Sequence, residues 1–172
     1  SLLSVMSNAK PKIGDFSFTT LTPNLGMVIY KQEDFILADI PGVIEGANLG
    51  KGIGIQFLGH IERCKVLVHV LDVSSKNLFD DFETTLNELN EYKSDLVRKI
   101  KCVVLNKVDM MKGNKLQEIV KTFNKRGISV IPISTFTRVG IDKLKDHLLE
   151  LLKENKIVES KTNGRTEKWS PI

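Results

Sequence analysis

Two polar motifs in this chain each come directly after a short apolar run. Asp39-Ile40-Pro41-Gly42 follows the apolar residues 35–38, and Asn106-Lys107-Val108-Asp109 follows residues 102–105. Such runs alternate with helical patterns along the chain, which predicts an α/β fold with a doubly wound, mostly parallel sheet. Because ligands of such sheets bind at the carboxyl ends of the strands, both motifs are predicted to lie at the ligand-binding edge.

The alternation also gives the predicted bounds of the elements. Residues 25–30 and 35–39 are predicted to form a hairpin, and residues 66–73, 101–105 and 129–134 to form further strands. The predicted helices are 1–8, 55–64, 79–97, 115–124 and 142–154. In this prediction residues 1–155 form one domain, and the polar, pattern-free residues 156–172 form a linker or disordered tail.

Composition narrows the class of protein. The chain has 172 residues, of which 41% are hydrophobic, enough for one domain with a substantial core. Its formal net charge of +4 allows contact with a polyanion such as ribosomal RNA without requiring it. No apolar run approaches the roughly 18–20 residues needed to span a bilayer, and the two isolated cysteines are typical of a reducing compartment. We therefore expect a cytoplasmic protein. We also expect it to be a monomer.

The Asn106-Lys107-Val108-Asp109 motif is suited to reading a guanine base. The Asp109 carboxylate can accept hydrogen bonds from N1–H and the N2 amine of guanine. Adenine would leave the carboxylate unpaired, at a free-energy cost of about 1–3 kcal/mol. Lys107 can lay its aliphatic stem along the base plane, and Asn106 can tie the motif to a phosphate-binding loop. The alternative is a simple turn, because Asn and Asp favour turns. The position directly after a strand favours the nucleotide site.

Residues on the phosphate side of such a site can also be identified. Asp39 at a strand end can bind a water molecule of Mg²⁺, and Gly42 lets a backbone N–H approach a γ-phosphate. The loop Phe18-Thr19-Thr20-Leu21-Thr22 offers threonine oxygens to the metal ion and to a nucleophilic water. A Pro-Gly turn and an ordinary threonine-rich loop are the respective alternatives.

Two further segments bear on the nucleotide site. Ser134-Thr135-Phe136 ends the last predicted strand, where its backbone N–H groups can meet guanine O6. The glycine-rich residues 46–52 do not match the phosphate cradle Gly-x-x-x-x-Gly-Lys-Ser/Thr, because their spacing differs and Gly52 replaces the hydroxyl residue. We therefore expect that the sequence begins after the first strand and the cradle, and that the printed chain binds GTP weakly.

Four segments together resemble the Obg family of GTPases. They are residues 18–26, residues 39–47, the glycines at 50, 52 and 54, and the segment His60-Ile61-Glu62-Arg63. The glycine-rich stretch and the His-Ile-Glu-Arg segment separate this pattern from generic small GTPases. The resemblance covers residues 1 to about 154 and implies a P-loop GTPase fold whose first strand is missing here.

The resemblance implies roles for individual residues. Thr20 is the switch I magnesium ligand with a part in catalysis, and Asp39 reaches the Mg²⁺ cofactor through water. Residues 39–42 begin switch II, and residues 106–109 and 134–136 read guanine. The glycines at 42, 46, 50, 52 and 54 themselves favour a loop that is ordered by the γ-phosphate and released after hydrolysis, and a static glycine-rich turn is the alternative. Thr135 departs from the family pattern, which usually has Ala, and so does Gly59, where a basic residue is common.

The resemblance also implies a biological role. Members hydrolyse GTP slowly to GDP and phosphate, associate with the large ribosomal subunit through its RNA and proteins, and act in its assembly and in growth and stress control. The alternative class is a nucleotide-independent interaction module that docks on the ribosome or on a protein partner.

Overall fold

The computed structural model of the chain describes residues 2–7, 24–40 and 61–163. The strands, in chain order, are β1 Asn24–Tyr30, β2 Glu33–Asp39, β3 Leu67–Asp72, β4 Ile100–Asn106 and β5 Val130–Pro132. The helices with described bounds are α1 Leu2–Met6, α2 Leu78–Tyr92, α3 Ser94–Lys99, α4 Lys115–Lys125 and α5 Ile141–Asn163, and a short 3-10 helix covers Val108–Met110. The predicted alternation of strands and helices is confirmed for these residues. Several bounds differ: the strand predicted over 129–134 covers only Val130–Pro132, and the helices predicted over 79–97 and 142–154 differ as described below.

Strands β1 and β2 form an antiparallel hairpin, as predicted. Its turn consists of Lys31 and Gln32, whose backbone angles are left-handed, with φ of 50° and 62°. This conformation matches the twist of strands joined by a two-residue turn. The register places Asp39 at the end of β2, opposite Asn24.

Strands β3, β4 and β5 form a parallel sheet in that order. Asp72 at the end of β3 is paired with Asn106 at the end of β4, and Leu105 is paired with Pro132 of β5. The carboxyl ends of the three strands therefore lie at one edge, as in other open α/β sheets. Within the described residues the hairpin is a separate sheet, which agrees with the prediction of a sheet that lacks its first strand.

Strand β4 is covered on both faces, which explains its uninterrupted apolar run. Cys102 and Val104 are buried in a core that includes Met6 of α1 and Leu144 and Leu148 of α5. The intervening residues are buried in a second core with side chains of α2 and α4: Val103, Leu105, Phe82, Ile119 and Phe123. Helices thus pack on both faces of the parallel sheet, so the doubly wound arrangement is confirmed.

The helix predicted over residues 79–97 is interrupted at Lys93. This residue has an extended backbone, with φ of −163° and ψ of 112°, and separates α2 from α3. Ser94 opens the second helix and Asp95 lies in its first turn, where an acidic side chain stabilises a helix N-terminus. Leu89 and Leu96, one from each helix, still share one buried cluster with Ile61. The interruption therefore redirects the chain without dividing the core.

Helix α5 extends to Asn163, beyond the predicted end at residue 154. The predicted helix end at residue 154 is therefore wrong, because residues 155–163 are also helical, and residues 164–172 lie outside the described residues. The apolar stripe ends near residue 152, but no glycine or proline interrupts the backbone before Gly164, so intrinsic propensity allows the helix to continue. The division into a domain and a tail stays a prediction.

The end of the predicted helix 55–64 is held against α2 and α3. Residues 61–63 are helical, and Lys99 Nζ donates to the carbonyl oxygens of Glu62 (2.6 Å) and Cys64 (2.9 Å). Lys93 Nζ bonds the Glu62 carboxylate at 3.0 Å. A cation at the last carbonyls of a helix is electrostatically favourable. The glycine-rich stretch before this helix lies outside the described residues.

His69 of β3 packs against an aromatic side chain. Its ring stacks on Phe82 with centroids 5.4 Å apart, and its Nδ1 is buried without a hydrogen-bond partner. Burial lowers the pKa of His69 to about 4. A mostly buried ring that is neutral at pH 7 favours a structural role for His69.

His69 should make the fold sensitive to acid. Because the pKa of His69 is lower in the folded chain than its usual 6.5, the unfolded chain binds the proton first. Stability should fall between pH 6.5 and 4, by on the order of 3 kcal/mol. Urea unfolding at pH 7 and 4.5 should therefore show a smaller loss for His69→Leu than for the unaltered protein. His147→Gln on α5 is the control, and an equal loss in both variants would contradict the assignment.

Candidate functional site

The residues predicted to read a base meet where β4 and β5 end. Asn106 is the last residue of β4, and Val108 begins the 3-10 helix that carries Asp109. Val108 N donates to Ile133 O at 3.2 Å, and Ile133 N donates to Leu105 O at 2.8 Å. These backbone bonds place the segment of Ser134 directly beside the 106–109 loop.

Asn106 joins the two loops through its side chain. Its Oδ1 accepts hydrogen bonds from Lys107 N at 2.8 Å and from Thr135 N at 3.1 Å. The sequence predicted a tie from Asn106 to a phosphate-binding loop, but the described partner outside its own loop is Thr135. Since Thr135 contributes its backbone N–H, a threonine in place of the usual alanine leaves this contact unchanged.

Asp109 is held by Ser134. The Ser134 hydroxyl donates to Asp109 Oδ1 and accepts a hydrogen bond from Thr137 N at 3.0 Å. Ser134 is fully buried, whereas Asp109 is exposed. A buried hydroxyl with a fixed donor has little choice of direction for its own proton. The buried Ser134 hydroxyl therefore orients the Asp109 carboxylate from the protein side, while the outer side of the carboxylate faces solvent.

The three backbone N–H groups of residues 134–136 are not equivalent. Ser134 N donates to Val139 O at 2.9 Å, and Thr135 N donates to Asn106. Of the three, the Phe136 N–H group is therefore the candidate that could donate a hydrogen bond to a ligand carbonyl. The Phe136 ring is 88% exposed, so it contributes no packing to the core. The predicted role of this segment is thus narrowed to one N–H group.

Lys107 has an unusual backbone and a charged partner. Its φ is 65° and its ψ is 34°, the left-handed region that few non-glycine residues adopt. Its Nζ lies 2.5 Å from Oδ2 of Asp72. The other oxygen of Asp72 accepts hydrogen bonds from Ser74 N (2.9 Å) and Ser74 Oγ (2.6 Å). Strain of this kind concentrates at functional sites.

Asp72 was not among the residues that the sequence singled out. Partial burial opposes its ionisation, but the hydrogen bonds from Lys107 and Ser74 outweigh this effect and hold the pKa of the carboxyl below its usual value. The available signal was an aspartate at the carboxyl end of the predicted strand 66–73. Parallel pairing with β4 then brings it beside the 106–109 loop.

The residues predicted on the phosphate side are only partly described. Asp39 ends β2 in the two-stranded sheet, and Ile40 packs against the cluster that contains Ile61. Asp39 therefore belongs to a different described sheet from Asn106. The other predicted residues of this side lie outside the described residues: Phe18, Thr19, Thr20, Leu21, Thr22, Pro41 and Gly42.

Two absences can be reported for the described part of the chain. No group of three or more His, Cys, Asp or Glu side chains within it is placed to hold a metal ion. None of its helices combines the length and the apolar character needed for a membrane crossing.

An Asp39 carboxylate at a strand end fits the oxygen ligands that Mg²⁺ takes, directly or through water.

Comparisons with known proteins give the class first. A family model described as "50S ribosome-binding GTPase" matches residues 1–107. Two solved structures share the fold. A Plasmodium falciparum protein provisionally described as nucleolar GTP-binding protein 1 has a TM-score of 0.67 and 18% identity, and the match covers 95% of this chain and 84% of that chain. Era in complex with MgGDPNP and part of 16S ribosomal RNA has a TM-score of 0.63 and 23% identity, and the match covers 87% of this chain and 51% of that chain. The fold is that of P-loop GTPases.

The particular family follows from closer relatives. GTPase Obg of Pelagibacter ubique is 45% identical over 150 residues, which cover 87% of this chain and 46% of that protein. GTPase Obg of Rickettsia felis is 46% identical over 154 residues, covering 89% and 47%. The chain belongs to the Obg family of GTPases, as its sequence motifs predicted. It spans about half the length of the curated relatives it matches.

Proposed function

We propose that the protein is a GTPase that binds GTP and GDP and hydrolyses GTP slowly with Mg²⁺. It acts as a switch in assembly of the large ribosomal subunit and in growth and stress control, as a monomer in the cytoplasm. The observation that carries the nucleotide assignment is the Ser134–Asp109 hydrogen bond. It orients a carboxylate at the edge where such sheets bind ligands.

Guanine fits the donors and acceptors of this edge. The outer side of Asp109 can accept from N1–H and from the N2 amine, and Phe136 N–H can donate to O6. Lys107 lies at the same edge and can cover one face of the base with its stem. Adenine offers neither the N1 donor nor the N2 amine, so its binding would leave Asp109 unpaired, which disfavours it.

The residues of the phosphate side are assigned from chemistry and family membership. Magnesium would be held by the Thr20 hydroxyl and, through water, by Asp39, and it supplies positive charge to the β- and γ-phosphates. The structural neighbour Era was crystallised with MgGDPNP, which supports the same cofactor here. Val43 follows Gly42 and cannot orient water as the glutamine of Ras-like enzymes does, so hydrolysis is slow.

The ribosomal role is supported by the description of the matching family model, "50S ribosome-binding GTPase". A net charge of +4 is compatible with contact with ribosomal RNA. Cosedimentation of the protein, as its gene encodes it, with large ribosomal subunits should be stronger with a non-hydrolysable GTP analogue than with GDP. Equal cosedimentation in both nucleotides and in their absence would favour the nucleotide-independent module instead.

Thr20→Ala tests the catalytic assignment. We expect the rate of Mg²⁺-dependent GTP hydrolysis to fall at least about tenfold, equivalent to roughly 1.4 kcal/mol or more. GDP affinity should change by less than about threefold, since the threonine contact depends on the γ-phosphate. The measurement is phosphate release in single turnover beside equilibrium binding of fluorescent GDP. Thr122→Ala, which removes a hydroxyl bonded to Glu118 O on α4, is the control. An unchanged rate in Thr20→Ala would reject the assignment.

A further inference from the structure

We propose that Asp72 is a positioning residue for nucleotide binding, which holds the ammonium group of Lys107 so that the lysine stem forms one wall of the base slot. This inference rests on the proposed guanine site and adds to it a carboxylate from the neighbouring strand. The guanine edge is read by Asp109, and the face of the base by a side chain whose position depends on Asp72.

The topology brings the two residues together. Asp72 ends β3 and is paired in parallel register with Asn106, so Lys107 is the next residue past that pair. The Nζ to Oδ2 distance is 2.5 Å. The contact joins the ends of two adjacent strands at the edge where Asp109 and Ser134 also lie.

Both ends of the lysine side chain are defined. At the backbone end, Lys107 N donates to Asn106 Oδ1 at 2.8 Å, and its φ of 65° is the left-handed conformation. At the ammonium end, the Asp72 carboxylate is itself held by two hydrogen bonds from Ser74. An isolated ion pair this exposed adds little to stability. A pair with both partners fixed has a different consequence, because it restricts the rotamers of the stem between them.

Such restriction matters when the base binds. A free lysine side chain must lose rotamer freedom when it packs along a base, which weakens binding. A stem whose ammonium group is already held by Asp72 loses less. The face of a purine ring presents no hydrogen-bond donors or acceptors by which bases could be distinguished. The contribution of Asp72 should therefore be equal for all purine bases that Asp109 accepts.

Asp72→Asn separates this role from a local structural one. The asparagine oxygen can still accept from Ser74 N and Oγ, which preserves the turn, but the charge that holds Lys107 is removed. We expect GDP affinity to fall about three- to tenfold, the effect of freeing one long side chain. The GDP to IDP affinity ratio should not change, because IDP differs only at the edge read by Asp109.

The matched control breaks a similar ion pair elsewhere. Glu83 and Arg126 also approach to 2.5 Å and are about half-exposed. Glu83→Gln should therefore leave GDP affinity unchanged. Lys107→Met keeps most of the stem and removes the ammonium group. It should show the same loss as Asp72→Asn, and the double variant should lose less than about twofold more.

Fluorescent GDP titration of the protein as its gene encodes it measures all four variants. The inference is overturned if the Asp72→Asn variant binds GDP as tightly as the unaltered protein. It is also overturned if Asp72→Asn lowers GDP affinity as much in the Lys107→Met background as it does alone. Asp109→Asn in the same series identifies which assumption fails. Unchanged GDP affinity in Asp109→Asn rejects the guanine site and this inference with it. Weakened affinity there with normal affinity in Asp72→Asn rejects only the inference.

Discussion

Asp109→Asn should weaken GTP and GDP binding by about a hundredfold or more and should improve binding of xanthosine nucleotides. The carboxylate accepts two hydrogen bonds from guanine, and bonds to a charged group contribute about 1.5–3 kcal/mol each. Their combined loss of about 3 kcal/mol corresponds to roughly a hundredfold in affinity. The asparagine oxygen can still accept from the Ser134 hydroxyl, as Asp109 Oδ1 does. Its amide then faces the base and can donate to the carbonyl of xanthine.

The measurement is competition of GDP and xanthosine diphosphate against a fluorescent nucleotide. Asp95→Asn is the matched control, since this exposed aspartate of α3 pairs only with Arg98 at 3.6 Å in the described chain. The control should keep the nucleotide preference of the unaltered protein. An Asp109→Asn variant with the same ratio of GDP to xanthosine diphosphate affinity would show that the base is read elsewhere.

The motifs were predictable because they are local. An apolar run such as residues 102–105 identifies a strand, and the polar residues after it must then lie at the strand end. Parallel pairing brings such ends together, so the proximity of Asn106 and Ser134 followed from the fold class. The Obg resemblance gave these positions their roles, which stay predictions for the residues outside the described chain.

The contacts that hold the site were not predictable, because they join residues far apart in sequence. Asp72 belongs to no motif, and its pairing with Lys107 depends on the register of β3 against β4. The bond from Thr135 N to Asn106 likewise depends on how two loops pack. The interruption at Lys93 lies within an apolar stripe that continues on both sides of it, so the stripe alone did not reveal it.

Gly140→Ala should destabilise the fold by about 3 kcal/mol or more and disturb the base site. Gly140 has φ of +77°, and an added Cβ would lie 2.2 Å from the backbone oxygen of Pro132 and 3.2 Å from Ile133 Cγ2. A left-handed backbone costs a non-glycine residue about 1–2 kcal/mol, and overlap with a fixed carbonyl adds about 1–3 kcal/mol. Pro132 ends β5 only two residues before Ser134, so relief of the overlap would shift the segment that orients Asp109.

Two other glycines allow the cost of a left-handed backbone to be measured apart from the cost of steric overlap. Gly113 and Gly127 also have left-handed backbones, with φ of +64° and +73°, but an added Cβ at either would meet nothing within 4 Å. Their alanine variants should therefore lose only the backbone component, about 1–2 kcal/mol, and should bind GDP normally. Urea unfolding and GDP titration of the three variants provide the comparison. If Gly140→Ala were no less stable than Gly113→Ala, the approach of Pro132 to Gly140 would not constrain the fold. If it were less stable but bound GDP normally, the position of Ser134 would not depend on it.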